Sequence, residues 1–163
     1  MAGRDLTSFS STNGKHPEGS LTLSGSTFYG TTSQGGANGD GTVFSLPVGG
    51  GTPTVLASFN VASGSSPYGS LTPSGSALYG TTNGGGANGN GEVFSLPVTG
   101  ETPAVLASFT NTNGAYPTGR LTVIGSILYG TTYYGGAIGD GEVFSLPVGG
   151  GTPTVLASFN STN

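Results

Sequence analysis

Asp140 and Glu142 stand two positions apart, close enough in an extended chain for their side chains to share one face. Two carboxyl groups about 5–10 Å apart are what acid–base cleavage of a glycosidic bond requires. Fifty residues earlier, however, the same positions hold Asn90 and Glu92, and fifty earlier still Asp40 and Thr42. The pair is complete once in three occurrences, so no acid–base role is expected of it. The single histidine, His16, lies in the polar stretch TNGKHPEG. No G-x-S-x-G turn leads into a helical segment, so a serine–histidine nucleophile has no foundation. The chain has no cysteine, which removes thiolate nucleophiles, disulfides and cysteine-based metal sites. Gly-Ala-Asn-Gly-Asp-Gly at 36–41 lacks the alternate acids and terminal Glu of a calcium loop, and the Gly-Lys-Ser/Thr of a phosphate loop. It reads as a hairpin turn built on Asn-Gly and Asp-Gly. The expectation is no catalytic residue, no metal and no cofactor.

Tyrosine is the other side chain here that can do recognition chemistry. Tyr133 and Tyr134 are adjacent, and Tyr116 lies near them in the frame described below. Such rings stack on a sugar or a peptide. The corresponding positions hold Ser33-Gln34 and Asn83-Gly84. The candidate ligand-binding residues are Tyr133, Tyr134, Tyr116, Gln34 and Asn83. Asn160-Ser-Thr is the only glycosylation sequon.

These candidates are carried by a chain of 163 residues with 33 glycines and 10 prolines, of which only 6% are charged. Three basic residues against seven acidic ones give a net charge of −4. Nucleic acid needs clustered Lys/Arg, and so does an anionic membrane surface, so neither is an expected partner. No apolar run approaches the roughly 20 residues that cross a bilayer, and MAGRDLTSFS has no signal-peptide core.

The organising feature is a repeat of 50 residues. Tyr29, Tyr79 and Tyr129 each precede Gly-Thr-Thr; Phe44, Phe94 and Phe144 each sit in VFSLPV. Residues 29–59 differ from 79–109 at 7 of 31 positions and from 129–159 at 4, too few for chance similarity. A fixed period of this length marks a solenoid, a propeller or an array. The repeats run from 14 to 63, 64 to 113 and 114 to 163, in one domain. LTSFSSTN at 6–13 matches LASFNSTN at 156–163 at six of eight positions, so both ends carry a version of the same strand.

Each repeat reads as four short strands, in the second at Gly69–Pro73, Ala77–Thr82, Glu92–Val98 and Thr102–Phe109. Aromatic and β-branched residues between Gly/Pro/Asn turns favour strand, and no segment offers a helical period free of glycine and proline. Pro73 places the first strand at a sheet edge, and Pro97 ends the third. Val93 and Phe94 are adjacent, so they face opposite sides of the sheet, and both are apolar. A thin sheet with two apolar faces must stack on its neighbours, as the blades of a β-propeller do. The fold class is all-β, with three four-stranded antiparallel blades.

The pattern LYGTT-x-x-GGA-x-G-x-G-x-VFSLPV…TP-x-VLASF…P-x-G-x-LT resembles the GloVer tandem repeat of bacterial cell-surface proteins, from about residue 6 to residue 163. The resemblance implies a propeller-like fold and an extracellular setting, and brings no catalytic residue set with it. The near-identity of the repeats is also similar to that of designed symmetric propellers, and with no signal or anchor pattern read in the sequence the expectation is an excised or engineered module.

Three blades do not close a ring, because propellers typically need four or more. Their two end faces are expected to drive head-to-tail association of copies, three chains giving nine blades or, next, two chains giving six. At such a junction 6–13 of one copy and 156–163 of the next compete for one place. The expected function is a non-catalytic structural, self-assembling module. The alternative is a carbohydrate- or peptide-binding propeller that uses the variable loops on one rim.

Overall fold

The computed structural model describes residues 8–160. Positions 6 and 7 of the duplicated terminal segment, and 161–163 of its counterpart, lie outside the described residues. Three antiparallel sheets follow one another along the chain. The first contains β1 (Thr22–Ser24), β2 (Thr27–Thr32), β3 (Thr42–Pro47) and β4 (Thr54–Ser58). The second contains β5 (Thr72–Ser74), β6 (Ala77–Thr82), β7 (Glu92–Pro97) and β8 (Ala104–Ser108). The third contains β9 (Thr122–Ile124), β10 (Ile127–Thr132), β11 (Glu142–Pro147) and β12 (Thr154–Ser158). Strand order equals chain order in every sheet, which makes each one a four-stranded meander, the form of a propeller blade.

The strands are placed largely as their residues dictate, with two instructive differences. The first strand of the second blade begins at Thr72 rather than Gly69. Residues 69–71 bond to the neighbouring blade instead: Ser70 Oγ accepts from the Ser20 N–H at 2.9 Å, and the Leu71 carbonyl accepts from Thr22 Oγ1 at 2.6 Å. The fourth strand ends at Ser108, because Phe109 leaves the sheet to meet Phe144 edge-on, with 5.1 Å between ring centroids. Pro73 lies in edge strand β5, and β3, β7 and β11 all end on proline. Among the described residues the helical exception is one 3-10 turn, Val61–Ser63, held by Asn60, whose side chain accepts from the N–H groups of Ala62 and Ser63.

Two layers of core separate the three blades. Tyr29, Val43 and Ala57 of the first blade pack against Leu71, Leu78, Phe94 and Leu96 of the second. Val93 and Ala107 of the second blade repeat this against Leu121, Leu128, Phe144 and Leu146 of the third. Phe59 and Phe109, in the links between blades, are fully buried in these two layers. Adjacent side chains such as Val93 and Phe94 do serve opposite layers. Gly80 pairs with Phe94 across β6 and β7, and a Cβ there would stand 2.6 Å from the ring's Cζ. The edge of the phenylalanine ring fills the space a side chain would take at the glycine, so the residue types at both positions are fixed together.

Near the inner edge the blades touch through their backbones. A Cβ on Gly69 would meet the Gly119 carbonyl oxygen at 2.7 Å, and β1, β5 and β9 follow one another along this edge. Thr22 Oγ1 donates to the Leu71 carbonyl, and Thr72 Oγ1 to that of Leu121. Thr31 and Thr81 donate in the same way to the Gly69 and Gly119 carbonyls, at 3.2 and 3.4 Å. Each junction thus joins a layer of apolar side chains to a pair of threonine-to-carbonyl bonds.

Candidate functional site

Repetition lets every junction residue be compared with its counterpart at an open end. Leu71 and Leu121 are buried at the junctions, while Leu21 is 50% exposed. Pro67 and Pro117 are buried, and Pro17 is exposed. On the opposite face Ala57 and Ala107 are buried and Ala157 is exposed; Leu156 is 53% exposed, where Leu56 and Leu106 pack against the core layers. Thr22 and Thr72 are buried donors, whereas Thr122 is exposed; Thr31 and Thr81 compare in the same way with Thr131. The front of the first blade and the back of the third are therefore open counterparts of the two surfaces that meet at each internal junction.

The N-terminal segment modifies the front half. Phe9 meets Phe44 edge-on at 5.1 Å and 69°, against 5.0 Å and 67° for Phe59 on Phe94. The Ser10 N–H donates to Asn13 Oδ1 as the Thr110 N–H does to Asn113 Oδ1. Residues 9–13 thus take the shape of a link arriving from a preceding blade. Phe9, Pro17, Gly19, Leu21, Phe44 and Leu46 enclose a hollow of about 220 Å³ on this face. At the far end Phe159 is 43% exposed, with no aromatic partner among the described residues.

The variable loops do gather on one rim. Each link pairs with the glycine-rich loop of the blade it enters: Lys15 with Gln34, Ser65 with Gly84, Ala115 with Tyr134. This pairing brings four of the five candidate binding residues together. Asn83 of the second blade, Tyr116 of the link, and Tyr133 and Tyr134 of the third blade line one open depression of about 460 Å³, with Thr118. Tyr133 and Tyr134 are perpendicular, with ring centroids 4.5 Å apart; Tyr116 and Tyr134 are likewise, at 6.2 Å. The three rings are exposed. Gln34 is exposed on the first blade's loop, away from this group. Tyr116 has φ +54°, but His16 and Ser66 share that conformation at the same place, so it belongs to the link and not to the tyrosines.

Two acidic residues have a setting that their spacing gave no sign of. Glu92 and Glu142 are each 1% exposed, and Oε2 of each is buried without a hydrogen-bond partner. Oε1 accepts from Ser108 in one case, at 2.8 Å, and from Ser158 in the other, at 3.2 Å. Burial raises the Glu92 carboxyl above the usual carboxylate value, and the Ser108 bond opposes this in part. In the first blade the position is Thr42, whose hydroxyl pairs with Thr32 at 2.8 Å. Asp140 lies at the surface while Glu142 is buried, so the two carboxyls have unlike surroundings. His16 is exposed in its link. Among the described residues no three His, Asp or Glu side chains converge as a metal site would need.

Comparison with protein families gives a match over residues 4–163 to one described as the Gloeobacter/Verrucomicrobia repeat. Comparison with curated proteins gives no match. Among solved structures, the fold is similar to a nidogen/laminin complex, with a TM-score of 0.58, 17% identity, and 83% of this chain aligned to 45% of that one. It is similar to a europium-containing methanol dehydrogenase, with 0.57, 14%, and 87% against 25%. It is also similar to a TolB-type protein of Agrobacterium tumefaciens, with 0.55, 14%, and 83% against 43%. At these identities the likeness is one of fold. The fold is that of the β-propeller, and the chain spans less than half of each of these structures.

Proposed function

The chain belongs to the Gloeobacter/Verrucomicrobia repeat family, and from that footing we propose that it is a non-catalytic scaffold whose blades associate head to tail into a closed ring. The occupant of each open face is a second copy of this chain. One observation carries the reading: the exposed front and back faces are counterparts of surfaces that already meet at two internal junctions. Leu156 and Ala157 of one copy cover Leu21 of the next, and Thr122 donates to the next copy's Leu21 carbonyl. A heterologous contact whose rotation closes yields a ring rather than a fibre. We take three copies, and hence nine blades, as the closed form. Removing the apolar end faces from water is the driving force.

Mass in solution tests this, by native mass spectrometry or sedimentation equilibrium. The expected particle has three times the 15.9 kDa of one chain. Twice that mass keeps head-to-tail closure and changes the count to six blades. Leu21→Asp, at an exposed position, leaves the fold intact and abolishes assembly by burying an unpaired charge at the junction. A monomeric particle across the micromolar range overturns the proposal.

A further inference from the structure

We propose that the cluster of Tyr116, Tyr133 and Tyr134 is a binding site for neutral carbohydrate, a pyranose ring lying on the tyrosines with its hydroxyls turned toward Asn83 and Thr118. The site is complete within one chain. It stands or fails independently of ring assembly.

Four observations point to this ligand. First, the fold does not need the tyrosines. The equivalent loops carry Ser33-Gln34 and Asn83-Gly84, and the equivalent links carry His16 and Ser66, yet all three blades close in the same way. Tyr133 is nonetheless 61% exposed, Tyr134 52% and Tyr116 37%, a concentration of aromatic surface in water. Second, the rings hold one another. The perpendicular contacts of Tyr134 with both others limit their rotation, so a ligand loses little entropy to ordering them.

Third, the backbone of the site is already paired. The Tyr133 N–H donates to the Tyr116 carbonyl, Tyr134 and Ala115 exchange both bonds, and the Tyr116 N–H donates to the Asn90 carbonyl. A peptide adding as a strand finds these main-chain groups already taken. A sugar uses what is exposed: apolar ring faces for its C–H groups, and phenol, amide and hydroxyl groups for its own hydroxyls. Fourth, no charged side chain lines the depression, which disfavours an anionic ligand. Tyr133 and Tyr134 are in direct edge-to-face contact, so no slot remains between them for an ammonium group. The volume, about 460 Å³, falls within the usual range of small-molecule sites.

The test titrates the intact chain with neutral oligosaccharides of glucose, galactose, mannose, xylose and N-acetylglucosamine, up to about 10 mM, following heat and tyrosine-ring NMR shifts. At least one series is expected to bind and to shift the rings of Tyr133 and Tyr134. Tyr133→Ala and Tyr134→Ala should each weaken that binding about tenfold or more, whereas Tyr133→Phe keeps most of it. Gln34→Ala, on another loop, should leave it unchanged. Unaltered circular dichroism confirms that the exposed variants still fold. The proposal is overturned if no series binds, if binding survives both alanine variants, or if a proline-rich peptide shifts these rings and the sugars do not.

Discussion

Phe9 meets Phe44 edge-on with 5.1 Å between ring centroids, the same contact that Phe109 makes with Phe144. One end of the chain thus supplies to the first blade what a preceding blade would supply. The other end carries Phe159 outward, 43% exposed. This asymmetry allows internal and terminal copies of a single contact to be compared by mutation.

Phe109→Ala should destabilise the isolated chain by about 3–5 kcal/mol, since it empties a fully buried site between two blades. Phe159→Ala should cost the isolated chain less than about 0.5 kcal/mol. Denaturant unfolding at dilution gives both values. Repeating the measurement at a concentration where copies associate should raise the cost of Phe159→Ala toward that of Phe109→Ala. An unchanged cost in the assembled particle means that Phe9 keeps its seat on Phe44 and Phe159 is never taken up.

The threonine ladder offers a polar version of the same comparison. Thr72 Oγ1 donates to the Leu121 carbonyl inside the chain, and Thr122 is its exposed counterpart. Thr72→Val should lower stability by about 1 kcal/mol, the usual net worth of such a bond. Thr122→Val should leave the monomer's melting temperature unchanged and shift the association constant toward the monomer. Calorimetry and sedimentation separate the two effects.

Glu92 makes stability depend on pH. Its folded carboxyl binds a proton more tightly than the ordinary value of 4.5, because burial penalises the charge. The folded state therefore holds more proton than the unfolded state above that value. Stability is fully present below about pH 4.5 and falls as pH rises through the raised folded value. Glu92→Thr copies the first blade, where Thr42 pairs with Thr32, and gives the buried hydroxyl of Thr82 a partner. The variant should melt higher at neutral pH and with a flatter pH profile. A profile identical to that of the unchanged chain excludes Glu92 as its source.

Gly80→Ala should destabilise the second blade by about 1–3 kcal/mol, the cost of overpacking a filled core. The added carbon would stand 2.6 Å from Phe94 Cζ, and the ring has Leu71 and Leu96 around it. Combining it with Phe94→Leu, which withdraws the ring edge, should recover part of the loss. Simple additivity of the two costs excludes this contact as the cause.

Much of the architecture was readable because it is written three times. Alternation between Val93 and Phe94, proline at the ends of β3, β7 and β11, and glycine at the turns fix the strands and the two-faced blade. The rim was readable too, since antiparallel order alone sends Tyr116 and Tyr134 to the same side. The limits of β5 were not, because Ser70 and Leu71 bond across a junction that no local pattern encodes. Nor was the burial of Glu92 and Glu142. A carboxylate at the start of a strand usually faces water, and only the stacking of Gly86 and Ser108 around Glu92 closes it off. Repeat frame groups Gln34 and Asn83 with the tyrosines, but equivalent loops sit on different blades: Asn83, on the adjacent blade, reaches the depression, and Gln34, one blade further away, does not.

One tyrosine cluster for every three blades has an arithmetic of its own. In the closed ring proposed above, the clusters would recur at equal angles and face the same way. A polysaccharide long enough to span two of them would be tethered twice, the second attachment occurring at the high local concentration set by the first. Individually weak grips would then combine into durable adhesion, their spacing set by the number of blades between clusters.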